Sequence, residues 1–227
     1  MKILEGQSYS WDAVSTRILS LKGRLGFSDE ISFLRLSIDV RGKITFDKPG
    51  ACCQTLVNDD WLSYCVNRVL FYYSMGDDSD EPGEPQQEQP KETFTKISLL
   101  DDSMHLGCST NQHRIENELK ALLDENEEKV RDALERHLGA SLVEQEDLAW
   151  RIPLLPKVIA LIVYNRTEEA SDDFNTGPTG TATAAACLPS SLNVFFKKST
   201  IKYIPPNDCE TLESIALWVL KALVLSV

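Results

Sequence analysis

The chain has 227 residues, 42% of them hydrophobic, which is enough to bury a sizeable core as one large domain or two small ones. Its 35 acidic and 23 basic residues give a formal charge of -12, which argues against nucleic acid as a partner because phosphate-binding surfaces need clustered lysine and arginine. No secretory signal and no window resembling a membrane span is present, so we expect a cytoplasmic protein that does not enter a membrane.

The first part of the chain predicts a helix followed by a β-hairpin. Ser10 is a suitable N-cap for a helix of about 11–23 with one apolar face. Apolar and polar residues then alternate strictly over 34–40, which is typical of a strand with one wet face. A turn at 41–42 precedes a continued alternation, so residues 32–47 should form a hairpin.

A second helix and an acidic segment follow. Asn58-Asp59-Asp60 opens this helix with acidic residues at the positive end of its dipole, and the apolar spacing predicts that the helix ends near Ser74. Residues 76–92 contain no aliphatic or aromatic side chain and three prolines, so they predict an exposed, flexible insertion. Residues 93–100 are interpreted as a short strand.

The next segment predicts two consecutive helices. Ser109 with Gln112 has the spacing of a capping box, and Asp124 with Glu127 repeats it before a further apolar stretch. Gly139 is suited to end the second helix.

The most apolar run in the chain, 150–164, predicts the strand around which the fold is built. Both side-chain parities are apolar from Val158 to Tyr164, which indicates a strand covered on both faces, with a buried helix as the alternative. Pro153 and Pro156 lack ladder donors, so pairing should begin only after Pro156. We predict a single α/β domain, with α+β as the alternative, in which helices pack on a mixed sheet with its central strand at about 157–164.

The remainder predicts a loop, a strand and a terminal helix. Residues 165–189 are polar and of low complexity, which indicates a long loop. Residues 192–196 form a second core strand, with a continuation over 201–204. Asn207 and Glu210 have the spacing of a cap for the last helix.

Several short motifs with prolines, apolar strands and acidic residues follow one another in the second half: HLGA at 137–140, W-x-I-P-L-L-P-K-V at 150–158, Asp172-Asp173-Phe174, LNVFF at 192–196 and Y-I-P-P-N-D at 203–208. This order of motifs resembles an uncharacterised bacterial and archaeal family, classed only as a domain of unknown function. Leu70-Phe71-Tyr72-Tyr73 extends the resemblance to the second helix, so that it covers most of the chain except the acidic insertion.

The resemblance implies no established activity. Some relatives are associated with iron-sulfur or corrinoid proteins, although the cysteine spacings of cluster-binding proteins do not occur in this sequence. Lys197 stands where the family pattern has an acidic residue, and residues 175–186 form an additional polar insertion.

Three residues are weak candidates for metal ligands. His105, Cys108 and His113 form H-x2-C-x4-H, but a fourth ligand of the kind a structural zinc site needs is not evident. We therefore predict no metal site, and the sequence does not indicate which cofactor, if any, the protein uses. Cys108 and Cys209 lie near predicted helix starts, where a thiol can become reactive, but burial as a small hydrophobe is the preferred interpretation.

The candidate binding residues are Asp172, Asp173 and Phe174. Two adjacent carboxylates can hold a cation or act as acid and base, and a solvated loop is the alternative. Trp61, Trp150 and Trp218 are interpreted as packing residues rather than a ligand cage.

No catalytic constellation is assembled in the sequence, which favours a non-catalytic binding or accessory protein with a protein partner. One alternative is a cofactor-handling protein or enzyme with a pocket at the 165–189 loop, where the loop leaves the central strand. Another is an acidic inhibitor that binds a basic partner through residues 77–92.

Overall fold

A computed structural model describes residues 8–49, 55–76, 93–100, 109–143, 148–166 and 190–225. The helices of this part of the chain are α1 (Trp11–Leu19), α2 (Asp60–Tyr73), α3 (Ser109–Asp132) and α4 (Pro206–Val224). The strands are β1 (Ile31–Phe33), β2 (Leu36–Ile38), β3 (Ile44–Phe46), β4 (Thr55–Leu56), β5 (Phe94–Thr95), β6 (Ser141–Val143), β7 (Leu148–Leu155), β8 (Val158–Asn165) and β9 (Ser191–Lys197). The predicted combination of helices and a sheet is confirmed.

The helices begin and end largely where the sequence indicates. The side chain of Asp59 caps α2 by accepting a hydrogen bond from the Leu62 backbone N–H at 2.9 Å, and Ser74 follows its last turn. Asn126 interrupts α3 with non-helical backbone angles, close to the predicted start of a second helix. A π-helical turn, Ala133–His137, completes α3 before Gly139, whose φ of 68° is the left-handed conformation of a helix stop.

Strands β1 to β4 form an antiparallel four-stranded sheet in chain order. The predicted hairpin is confirmed as β2 and β3, joined by a turn whose Gly42 has a φ of 77°. The sequence reading missed β1, because Leu34 and Arg35 connect β1 to β2 with φ values of 47° and 62°. Neither residue in this left-handed region is a glycine or an asparagine, so the usual sequence signal of a turn is missing here.

The second sheet is antiparallel and has the strand order β5-β9-β8-β7-β6, which confirms the central position of residues 157–164. The prediction that pairing begins only after Pro156 is wrong. Residues 148–155 form a full partner strand, and Pro153 lies opposite Ile159 beside a bulge. The apolar run is therefore a hairpin that turns at Pro156 and Lys157, because the bulge accommodates a residue without an N–H donor.

Burial alternates along β8. Val158, Ala160, Ile162 and Tyr164 are buried, whereas the residues between them are partly exposed. The prediction that both faces are covered therefore holds for one face only. That face is the one against which α3 and α4 pack.

The end of the chain corrects two predictions. The strand over 192–196 is confirmed as β9, but residues 201–204 do not continue it, because Lys198–Lys202 form a 3-10 helix that leads away from the sheet. The first helical residue of α4 is Pro206, and no side chain caps the helix end. A proline needs no partner for a missing N–H, so Asn207 and Glu210 lie inside the first turns instead of forming a cap.

Interlocking contacts join the two sheets through the helices. The Tyr73 hydroxyl donates to the Leu25 carbonyl at 2.8 Å and accepts from the Lys157 N–H at 3.0 Å. The Trp218 ring on α4 meets Phe46 of β3 edge to face at 5.8 Å. Within the described residues, none of the helices has the length and apolar character needed to cross a membrane.

Candidate functional site

The predicted site residues are only partly within the described ranges. Asp172, Asp173, Phe174, His105 and Cys108 lie outside them, so these predictions stay untested. His113 is exposed on α3, with its Nδ1 3.3 Å from Oε2 of Glu116. The structurally described part of the chain contains no group of three or more His, Cys, Asp or Glu side chains arranged to hold a metal ion.

Both ends of the predicted 165–189 loop are fixed to α3. The Ser190 hydroxyl donates to Asp124 Oδ1 at 3.0 Å, and the Tyr164 hydroxyl donates to the same oxygen at 2.6 Å. Partial burial would raise the pKa of Asp124, but these bonds and one from Lys120 hold it below its usual value. Arg166 pairs with Glu127 beside them. Because Asp124 is satisfied by its own neighbours, this cluster has the character of an anchor.

The cysteines of the helical layer are buried. Cys209 has no exposed surface, and neither Cys209 nor Cys65 is in a disulfide. Burial raises the pKa of the Cys65 thiol to about 11, so it is not ionised at neutral pH. A nucleophilic role needs a lowered pKa, which Cys65 lacks.

A cleft lies where α4 packs between α2 and α3. It consists of two adjoining depressions of about 280 and 310 Å³ that share Trp61, Arg114 and Ser214. We call this region the helix cleft. Its other lining residues come from all three helices: Tyr64, Cys65, Arg68, Glu118, Thr211, Leu217, Trp218 and Lys221. Concave sites of this size, lined by aromatic groups and a few polar ones, are typical of small-molecule binding.

One wall of the helix cleft is aromatic. Trp61 and Tyr64 are three residues apart on α2 and are 48% and 45% exposed. A spacing of three places both side chains on the same face of a helix. Large aromatic side chains normally bury most of their area, so an adjacent exposed pair marks a contact surface.

Arg68, one turn beyond Tyr64, is held by a buried partner. Its Nε donates to Asp208 Oδ1 on α4 at 2.6 Å, and its guanidinium lies 5.8 Å from the centre of the Tyr9 ring. Burial raises the pKa of Asp208 to about 6, although the charge and hydrogen bond of Arg68 lower it. The pair fixes the guanidinium at the inner end of the cleft.

The opposite wall carries two cations around one carboxylate. Lys221 Nζ donates to Glu118 Oε2 at 2.6 Å, and Arg114 donates to Oε1 of the same side chain. The hydrogen bond from Lys221 is the main cause of the lowered pKa of Glu118. The charged lining residues are thus three cations and one carboxylate in a chain with a net charge of -12. Opposite signs attract, so the lining of the helix cleft favours an anion.

The fold and the cleft thus define a protein of helices on antiparallel sheets with an aromatic and cationic depression on its helical layer. The family model described as a domain of unknown function, DUF3786, matches residues 83–176. The predicted resemblance to an uncharacterised family is confirmed for that range, which is less than half of the 227 residues. Neither a curated protein nor a solved structure matches the chain.

Sequence reasoning missed the helix cleft because its lining residues lie in three segments, 61–68, 114–118 and 211–221. No local motif connects these segments. A usable signal was the position of Trp61 and Tyr64 beside the apolar stripe of α2 and not within it.

Proposed function

We propose that this is a non-catalytic binding protein whose helix cleft takes a small molecule with an aromatic ring and an anionic group. The observation that carries the proposal is that the exposed pair Trp61 and Tyr64 lines the same cleft of two adjoining depressions as Arg114 and Lys221. A ring can stack on the aromatic wall, and a carboxylate or phosphate can accept hydrogen bonds from the cations.

The chemistry of the helix cleft suits binding better than turnover. Arg114, Lys221 and Arg68 are all paired with carboxylates, which holds their charges in place. Cys65 has a raised pKa. A cytoplasmic location is part of the proposal and is supported by Cys65 and Cys209, whose buried thiols are not in disulfides and so suit a reducing compartment.

The test is calorimetric titration with 2-naphthoate and with adenosine 5′-monophosphate, which present a carboxylate and a phosphate on aromatic groups. We expect saturable binding of at least one of them. Arg114→Gln should weaken it by about 10-fold or more, since a hydrogen bond to a charged group contributes about 1.5–3 kcal/mol. Trp61→Ala should weaken it by about 1–3 kcal/mol through lost stacking.

The neutral analogues naphthalene-2-carboxamide and adenosine are the ligand controls, and they should bind much more weakly. Arg136→Gln is the matched protein control, because Arg136 is an exposed helical arginine that also pairs with a carboxylate four residues away. Its affinity for the probes should equal that of the parent protein. Equal binding of the neutral analogues, or unchanged affinity in both cleft variants, would contradict the proposal.

A further inference from the structure

A second cavity lies inside the protein, between the five-stranded sheet and helices α3 and α4. Its volume is about 40 Å³. A single water needs roughly 10–15 Å³, so several non-hydrogen atoms fit. With one exception its walls are aliphatic, and they include Ile115, Leu119, Ile152, Ala160, Val194 and Leu220.

The exception is Glu213 of α4. Its side chain lines the cavity and the residue is 4% exposed. Neither carboxyl oxygen has a hydrogen-bond partner among the described residues. Buried polar groups in folded proteins are almost always paired, because an unpaired one loses its hydration without compensation. An unpaired carboxyl group that lines an apolar cavity therefore points to a ligand that supplies the missing partner.

The surroundings of Glu213 determine the charge of that ligand. Glu116 of α3 and Glu210 of α4 are also buried, and burial together with their charges raises the pKa of Glu213. Glu116 accepts from the Val194 N–H at 3.1 Å, and His113 lies 3.3 Å from its other oxygen at the surface. Glu213 thus lies near two further buried carboxyl groups, and the cavity lining contains no basic side chain, so a cationic ligand suits the cavity better than an anionic one.

The lining residues exclude most cations. A divalent metal ion requires several oxygen or nitrogen ligands, whereas Glu213 is the one polar side chain on the cavity wall described here. A primary ammonium group has three donors and can bond both oxygens of one carboxylate. An attached short alkyl chain matches the aliphatic walls.

We propose that this cavity binds a short-chain primary alkylammonium ion, with its head paired to Glu213 and its chain against the aliphatic side chains of α3 and the sheet. This site is separate from the helix cleft. It lies on the other side of α4, and its ligand has the opposite charge.

Propylammonium chloride is the probe, with sodium chloride at equal ionic strength as the reference. We expect a saturable rise in the thermal unfolding midpoint. Propan-1-ol should bind at least about tenfold more weakly, since it lacks the charge. Hexylammonium should also bind more weakly than propylammonium, because its chain exceeds a cavity of about 40 Å³.

Variants separate the cavity from the surface. Glu213→Gln keeps the volume but removes the charge and should lower propylammonium affinity by at least about tenfold. Glu125→Gln, at an exposed position of α3 away from the cavity, is the control for removing a carboxylate, and Arg114→Gln alters only the helix cleft; both should retain binding. An unchanged affinity in Glu213→Gln, equal binding of propan-1-ol, tighter binding of hexylammonium, or no binding to the parent protein would each overturn the proposal.

Discussion

The two sides of α4 differ in whether their charged side chains are paired. On the side of the helix cleft, Lys221 shares Glu118 with Arg114, and Asp208 is paired with Arg68. On the interior side, Glu213 has no partner among the described residues. Leu217 borders both regions. One helix therefore separates a surface where charges are compensated from a cavity where one is not.

The paired charges of the helix cleft stabilise the fold, whereas the buried carboxyl group of Glu213 does not. The ion pairs Arg68–Asp208 and Lys221–Glu118 each place a cation within hydrogen-bond distance of a carboxylate, and each joins two helices. Glu213 supplies no such contact and carries the cost of burial. We interpret the first as a preformed binding surface and the second as a site whose partner comes from outside the chain.

The largest expected change in the free energy of unfolding is on the side of the helix cleft. Arg68→Met leaves Asp208, which is 1% exposed, without its cation, so the free energy of unfolding should fall by about 3 kcal/mol. Urea unfolding at pH 7 measures this loss. Arg136→Met, which breaks an exposed pair, should cost at most about 1 kcal/mol. Equal losses in the two variants would show that the Asp208 pair is no stronger than a surface pair.

On the interior side, replacing an acidic side chain should raise the free energy of unfolding instead of lowering it. Glu213→Gln should raise the free energy of unfolding at pH 7 by at least about 1 kcal/mol, because folding then no longer requires the buried carboxyl group to take up a proton. Glu118→Gln on the cleft side should lower it by at most about 1 kcal/mol. Chemical denaturation of both variants checks the contrast. A free energy of unfolding that is lower in Glu213→Gln than in the parent protein would contradict this expected contrast.

The pH dependence of stability should also differ between the two carboxyls. The pKa of Glu213 is raised above 4.5, so above that pH the unfolded chain loses a proton that the folded protein keeps, and stability falls as pH rises. The pKa of Glu118 is lowered, so its contribution is present above 4.5 and is lost as pH falls through the folded pKa.

Unfolding curves from pH 4 to 8 test these signs. The stability advantage of Glu213→Gln over the parent protein should grow from pH 4.5 upward until Glu213 ionises in the folded state. The disadvantage of Glu118→Gln should instead disappear toward acidic pH. Parallel curves for Glu213→Gln and the parent protein would mean that the pKa of Glu213 is not raised.

The smallest effect belongs to the exposed pair of the helix cleft. A double-mutant cycle with Glu118→Gln and Lys221→Gln should give a coupling energy of about 0.2–1 kcal/mol, because both side chains are partly exposed. The coupling should weaken in high salt. A coupling of several kcal/mol would indicate that the cleft wall contributes strongly to the fold.

The sequence alone predicts much of this fold because its elements rest on local patterns. The helix start at Asp59, the helix break near Asp124 and the central position of 157–164 follow from capping residues and apolar periodicity. The turn at Leu34 and Arg35 does not follow from such patterns, because leucine and arginine rarely adopt a positive φ. The strand through Pro153 does not follow either, because proline is rare within a paired strand.

The candidate sites could not be predicted because they depend on which helices become neighbours. Arg68 and Asp208 are 140 residues apart in the sequence, and Glu118 and Lys221 are 103 apart. Glu213 looks like an ordinary polar residue of an amphipathic helix until the burial of both sides of α4 is known. The predicted site at Asp172 and Asp173 remains a prediction.

The most direct test of the cleft proposal uses the four tryptophans of the chain as reporters. Trp61 and Trp218 line the helix cleft. Trp150 is buried in the core, and Trp11 packs over Gly42. In a titration with 2-naphthoate followed by NMR, the indole N–H signals of Trp61 and Trp218 should shift together and saturate, while those of Trp150 and Trp11 stay in place. Shifts confined to Trp11 or Trp150, or no saturable shift of Trp61 with either 2-naphthoate or adenosine 5′-monophosphate, would contradict the account.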